Sequence, residues 1–159
     1  MKKENLCFQP VDDTDLRFLF NLLKERDPNT NISHKKMPTF AEHKQFVKSK
    51  PYSYWYIIKL SRKKIGTIYL SRNNEIGIFI KKEYQNKGIA SEALKLLINS
   101  HPKKRFLANV SPKNKFSAKF FKNNNFKLIQ YTYELDNYSL DYIFKYIFQF
   151  INWNCGNNI

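Results

Sequence analysis

The sequence predicts an α+β fold, a mixed and mostly antiparallel twisted sheet flanked by helices. Three observations carry that expectation. Strand-like segments follow one another at 55–60, 65–71 and 75–81, separated only by the polar stretches 61–64 and 72–74, which is hairpin spacing. Segments with helical recurrence of apolar residues precede and follow them. No regular β-α alternation runs through the chain, which argues against a doubly wound parallel sheet.

Taken in order, Leu6–Val11 reads as a first strand. Asp12 or Thr14 can cap the next segment, where Leu16, Leu19, Phe20, Leu22 and Leu23 recur at helical spacing until Asp27-Pro28-Asn29 ends it. A polar loop follows. Pro38-Thr39 opens a second helix with Phe40, His43, Phe46 and Val47 on one side. After the three central strands, Gly88–Ser100 forms a helix with Ala90, Ala93, Leu94, Leu97 and Ile98 inward. Arg105–Val110 reads as a strand, Asn114–Asn124 as a helix and Phe126–Leu135 as a strand. The order is β-α-α-β-β-β-α-β-α-β. It forms one domain over 1–136 with an aromatic extension over 137–159. In the extension, Leu140, Ile143, Phe144, Ile147, Phe148 and Ile151 keep helical spacing, while Tyr142, Phe144, Tyr146, Phe148 and Phe150 alternate as in a strand, so the period leaves helix and extra strand open.

A chain of 159 residues can bury a core without staples. Its net charge of +15 favours anionic partners: nucleic acid, phosphorylated ligands or anionic lipid. The lysines are scattered, with short runs at Lys35–Lys36, Arg62–Lys64 and Lys103–Arg105, and AT-rich coding alone enriches lysine and asparagine. A nucleic-acid face is therefore not favoured over solvated lysine. Cys7 and Cys155 lack partners at ligand spacing, so no metal site is expected. No signal-type apolar segment and no run of membrane-spanning length is found, and a cytoplasmic protein is expected.

Gly88 poses a specific question, because the chain has only four glycines. It stands in E-Y-Q-N-K-G-I-A-S-E-A-L, where a strand ends and a helix begins. The first turn of a helix has unpartnered N–H groups and partial positive charge, and together they bind anions such as phosphate. A glycine lets the backbone approach that anion. The alternative is a glycine that merely eases a loop.

The surrounding residues resemble the acetyl-CoA-binding motif of the GNAT superfamily of N-acetyltransferases, [Q/R]-x-x-G-x-[G/A], here Gln85, Gly88 and Ala90. A later stretch resembles that family's A-x-V-x-x-x-N-x-x-S pattern ending in G-F, matched at Ala108, Val110, Asn114, Ser117 and Phe126. Asn125 replaces the glycine, and asparagine tolerates the left-handed conformation needed there. Phe121 stands where many members carry a proton-donating tyrosine. The style is closest to ribosomal-protein-alanine and amino-sugar acetyltransferases. The resemblance runs from residue 5 to about 135 and does not cover the extension.

The resemblance implies an acyltransferase that moves acetyl from acetyl-CoA to a primary amine. Pyrophosphate would sit on the N–H groups of Asn86, Lys87, Gly88, Ile89 and Ala90, near Gln85 and Ser91. The pantetheine arm would pair along Ile78, Phe79 and Ile80. A bulge there, eased by Gly77, would free an N–H near Phe79 for the developing oxyanion. Asn114, Ser117 and Phe121 would touch the cosubstrate, although Asn114 can cap its helix and Ser117 can pack. Glu75 is the candidate general base, or else an exposed strand-end carboxylate. His34 and His43 would contact the acceptor, and a lone helix histidine is otherwise structural. A loose similarity around 39–58 points to nucleotide-linked amino sugars. A protein N-terminus is the other acceptor, and net charge disfavours polyamines. A basic RNA-binding module, or a tRNA-acetylating toxin of this fold, is the competing reading. The extension would pack on the sheet, join a homodimer, or lie on a lipid interface through Tyr142, Phe144, Phe150 and Trp153.

Overall fold

The computed structural model describes residues 5–28 and 36–134. His34, Cys155 and the extension at 137–159 lie outside the described residues. The backbone contacts divide the chain after Lys127. The first unit contains every helix and strand described below.

Four strands form one antiparallel sheet in sequence order: β1 (Leu6–Pro10), β2 (Tyr54–Leu60), β3 (Lys63–Leu70) and β4 (Ile76–Ile80). Only Ser61 and Arg62 separate β2 from β3, with Leu60 opposite Lys63 and Ser61 at φ +57°. The turn is shorter than the polar stretch 61–64 suggests, because Lys63 and Lys64 alternate into the strand. Asn74, at φ +60°, makes the next turn.

Helix α1 (Leu16–Lys24) follows a 3-10 turn at Asp13–Asp15. Asp12 accepts from the Thr14 N–H at 2.8 Å, while Asp15 accepts from the Asp12 N–H at 3.0 Å. Helix α2 (Phe40–Lys48) starts with the reciprocal pair that T-F-A-E encodes: Thr39 Oγ1 accepts from the Glu42 N–H at 3.3 Å and Glu42 accepts from the Thr39 N–H at 2.7 Å. Helices α3 (Ile89–Ser100) and α4 (Lys115–Asn123) complete the unit.

Strand alternation sorts the core into two faces. Ile58, Ile68, Leu70, Ile76 and Ile80 pack with Ala93, Leu94 and Leu97 of α3. Ile57 packs with Leu19 of α1 and Val47 of α2, beside Trp55. Each buried isoleucine, leucine or valine here contributes about 1.5–3 kcal/mol by burial. Asp15 is fully buried, and its charge is met by Lys64 Nζ at 2.6 Å, which ties the start of α1 to β3.

Three expectations need correction. The segment 105–110 is no continuous strand: among the described residues it meets β4 only at one parallel bridge, Glu75 with Leu107. Residues 126–134 form no strand. A strand exists only through its partner's hydrogen bonds, and alternation cannot supply one. The bulge expected near Gly77 is absent, since β3 and β4 keep an unbroken register; the register shift falls at Ile58/Lys59 of β2. Gly77 has another use. A Cβ there would lie 2.0 Å from Cζ of Tyr69, its cross-strand partner, so the missing side chain is the space the Tyr69 ring fills.

Candidate active site

The open edge of β4 is the first component. Ile76 donates its N–H to Leu107 O at 2.8 Å, away from β3, and Lys81 donates to Ile65 O at 2.9 Å, toward β3. Antiparallel alternation then directs Gly77 and Phe79 into the β3 ladder and turns the N–H and C=O of Ile78 and Ile80 outward. Beyond the Glu75–Leu107 bridge no described strand covers that edge. The N–H of Phe79 is therefore not the free one; its neighbour Ile78 presents it. The splay from residues 105–110 exposes this edge without a bulge.

The loop after β4 is the second. A 3-10 turn at Lys82–Tyr84 leads to Gln85, whose Nε2 donates to Ile80 O at 2.7 Å and ties the loop to the end of β4. Asn86 at φ +60° and Gly88 at φ +76° are both left-handed. Gly88 is the N-cap of α3, and its C=O accepts from Ser91 and Glu92, each at 3.1 Å. The N–H groups of Asn86, Lys87, Gly88, Ile89 and Ala90 have no partner among the described residues. A Cβ on Gly88 would meet nothing within 4 Å, so the space before these donors is open. Lys87 is exposed and adds positive charge. Unpartnered donors, a helix N-terminus and open space are what a phosphate group requires.

Helix α4 stands next to α3. Asn114 caps it, Oδ1 accepting from the Ser117 N–H at 3.0 Å. At its far end Asn124 donates Nδ2 to Ser91 Oγ at 3.1 Å, joining the two helices. Asn125 is left-handed at φ +66°, as its place in the motif requires. Phe121 is buried, edge-to-face with Phe120 at 5.0 Å and with Phe126 at 5.1 Å. It is a core side chain in this structure.

Glu75 sits where β4 and residues 105–110 part. Asn109 Nδ2 donates to its Oε1 at 2.9 Å and Ser71 Oγ donates to its Oε2 at 3.2 Å, which fixes a part-exposed carboxylate beside the open edge. His43 is placed differently from expectation. It is buried, its ring 5.3 Å from Phe20 and 6.4 Å from Phe40, with no described partner for Nε2. Burial lowers its pKa, opposed by a hydrogen bond with the Leu16 backbone. It packs α2 on α1. A cleft of about 510 Å³ beside Trp55 and Tyr52 is edged by Asp12, Asp13, Lys48 and Lys50, away from the Gly88 loop.

The structure also assembles residues the sequence reading passed over. Arg26 lies over the Phe79 ring, 5.0 Å from its centroid, and Tyr52 stacks on Tyr69 at 3.8 Å. Nothing local marks them; only the register of β3 and β4 brings them together. Among the described residues no cluster of His, Cys, Asp or Glu is arranged to hold a metal, and no helix is long and apolar enough to cross a membrane.

Comparison with known proteins accords with this geometry. Residues 5–127 match the acetyltransferase (GNAT) domain family. No curated protein matches the chain. A solved domain from Methanocaldococcus jannaschii DSM 2661 has a TM-score of 0.72 at 23% identity, over 82% of this chain and 94% of that one. RimL, a ribosomal L7/L12 alpha-N-protein acetyltransferase in complex with coenzyme A, has 0.64 at 17% identity, over 79% and 81%. The aminoglycoside N-acetyltransferase AAC(6')-Iy, also with CoA, has 0.63 at 16% identity, over 84% and 95%. At these identities the likeness is one of fold.

Proposed function

The chain belongs to the GNAT acetyltransferase family and is an N-acetyltransferase, and from that premise we propose that it uses acetyl-CoA to acetylate a primary amine on an anionic acceptor. The observation that carries the reading is the pairing of the unpartnered N–H groups of 86–90 with the uncovered edge at Ile78. The loop would hold the pyrophosphate, with Lys87 adding charge. The Ile78 edge would hold the pantetheine amides as an added strand holds its neighbour.

Acetyl-CoA supplies an acetyl group activated as a thioester. The amine nitrogen forms a bond to the acetyl carbon, the C–S bond breaks, and the thiolate leaves. An alkylammonium has a pKa of about 10 and must lose a proton before it can attack. Glu75 accepts that proton directly or through water, held in place by Asn109 and Ser71. The Ile78 N–H would stabilise the negative charge that develops on the acetyl oxygen. Phe121 carries no proton, so the thiolate takes its proton from solvent. Asn114 caps α4, while Ser91 and Asn124 hold α3 and α4 together.

The acceptor we favour is a small anionic amine such as a nucleotide-linked amino sugar, on the net charge of +15. Calorimetry with acetyl-CoA, followed by CoA-thiol release with added amines, tests the reading. The expected result is saturable binding and amine-dependent thiol release, with Glu75→Gln lowering kcat and leaving acetyl-CoA affinity unchanged. A protein that binds no acetyl-CoA contradicts it.

A further inference from the structure

Arg26 follows the C-terminal end of α1, where a cation complements the helix dipole. That role needs only an exposed side chain. Here the Nε is buried with no hydrogen-bond partner among the described residues. The guanidinium lies over Phe79, and no ion pair to it is found among the described residues. Burial presses its pKa down, and Tyr69 and Tyr52 push it back up. The guanidinium stays charged. A partly buried charge with no counter-ion among the described residues is unfavourable, so a cation kept in this way invites an anion.

The neighbours are suited to the same guest. Tyr52 and Tyr69 stack with an interplanar angle of 7°. Burial and the neighbouring Tyr69 hydroxyl raise the Tyr52 pKa, so its hydroxyl keeps its proton. Tyr69 reaches this position because Gly77 has no Cβ. The Glu25 carboxylate accepts the Lys82 N–H at 3.2 Å and forms no ion pair with Arg26 among the described residues. Alternation decides which side of β4 this group occupies. Gly77 and Phe79 project toward α1, with Glu75 in the same phase, whereas Ile76, Ile78 and Ile80 pack against α3. The Gly88 loop opens α3. Arg26 therefore lies across β4 from the proposed donor loop, on the Glu75 side.

We propose that Arg26, with the hydroxyls of Tyr52 and Tyr69, is the acceptor-specificity subsite and binds an oxyanion, carboxylate or phosphate, carried by the amine substrate. This rests on the acetyl-CoA-dependent reading above. A guanidinium meets either oxyanion through paired N–H donors. Binding supplies the counter-charge that no described residue gives Arg26 and presents the amine toward Glu75 and the open edge.

The test uses four short amines that differ at the far end: β-alanine, O-phosphoethanolamine, 3-amino-1-propanol and 1,3-diaminopropane. Acetylation is followed by mass spectrometry for wild type, Arg26→Gln, Arg26→Lys and Tyr52→Phe. Binding of the two anionic amines to CoA-saturated protein is followed by thermal shift. CoA saturation fills the Gly88 loop, so it cannot capture the anion. The anionic amines should be preferred by at least about tenfold, the scale of one charge-assisted hydrogen bond. Arg26→Gln should lose that preference through KM, with the amino alcohol and acetyl-CoA affinity unaffected, and Arg26→Lys should recover part of it. Comparing carboxylate with phosphate tells which oxyanion fits. Acetyl-CoA binding with no Arg26-dependent preference, in turnover or thermal shift, overturns the subsite alone. Equal loss on all four amines also overturns it, since a structural role predicts that. Failure to bind acetyl-CoA overturns the functional reading and the subsite with it. If Arg26→Gln does not fold, Tyr52→Phe carries the same prediction, because it keeps the stack and removes one donor.

Discussion

Replacing Gly88 acts by two routes that can be separated. Its φ of +76° lies in the left-handed region. An alanine there costs about 1–2 kcal/mol. In a domain of this size each kcal/mol lowers the unfolding midpoint by about 2–4 °C, so the ligand-free midpoint of Gly88→Ala falls by about 2–8 °C. No clash adds to this, since a Cβ meets nothing within 4 Å. The same empty space is where phosphate must come to reach the N–H groups of 86–90. If the methyl removes two charge-assisted hydrogen bonds at about 1.5–3 kcal/mol each, the loss is about 3–6 kcal/mol, more than a hundredfold in Kd. Gly88→Asn separates the two effects, because asparagine visits the left-handed region more readily yet still carries a Cβ. Thermal melts without ligand and calorimetry with acetyl-CoA read both. The Asn variant should recover most of the stability and none of the affinity. If Gly88→Asn binds acetyl-CoA as wild type does, the glycine serves the backbone alone and the argument for close approach is refuted.

Three further outcomes follow from the packing. Gly77→Ala places a Cβ 2.0 Å from a Tyr69 ring that is itself stacked on Tyr52; it should cost about 1–3 kcal/mol by overpacking, and the double variant with Tyr69→Ser should melt well above the single one. Phe121→Ala removes a buried ring from two edge-to-face pairs and should cost about 3–5 kcal/mol in denaturant unfolding; an exposed ring would cost far less. His43 has a folded-state pKa lowered by burial. Below the unfolded value of about 6.5 the unfolded chain binds more protons than the folded one, so stability holds above that pH and declines as pH falls through this range. His43→Leu should flatten the decline between pH 7 and 5.5 in thermal melts, and equal slopes would contradict it. The capping carboxylates Asp12 and Glu42, whose pKa values are lowered by their hydrogen bonds with Thr14 and Thr39, act only at more acid pH.

Much of the fold was legible because its signals are local. Pro38-Thr39 announces the start of α2, and the polar breaks at 61–64 and 72–74 announce the hairpins. Asn125 was read as a left-handed position and is one, and Gly88, read as a point of close approach, is left-handed as well. Non-local facts were not legible. Residues 126–134 alternate like a strand, but pairing depends on a partner no pattern names. Gly77 read as a bulge signal, whereas its use depends on which residue faces it across the sheet. His43 shares a helical face with Val47, and no pattern tells a packed imidazole from one that meets a substrate. Glu75 and the 86–90 loop were visible as candidates, yet the outward turn of Ile78 instead of Phe79 follows from two hydrogen bonds at the ends of β4. Arg26 was invisible, since an arginine after a helix is ordinary until a neighbouring strand buries it.

The account rests on acetyl-CoA lying along one strand edge and one loop. Amide hydrogen exchange resolved by NMR, with and without CoA, tests that directly. The N–H groups of Asn86–Ala90 and of Ile78 have no described partner in the ligand-free protein, so they should gain protection when CoA is added, while Phe79, already paired with β3, should change little. Protection confined to other residues, or none at all at saturating CoA, would contradict the central claim.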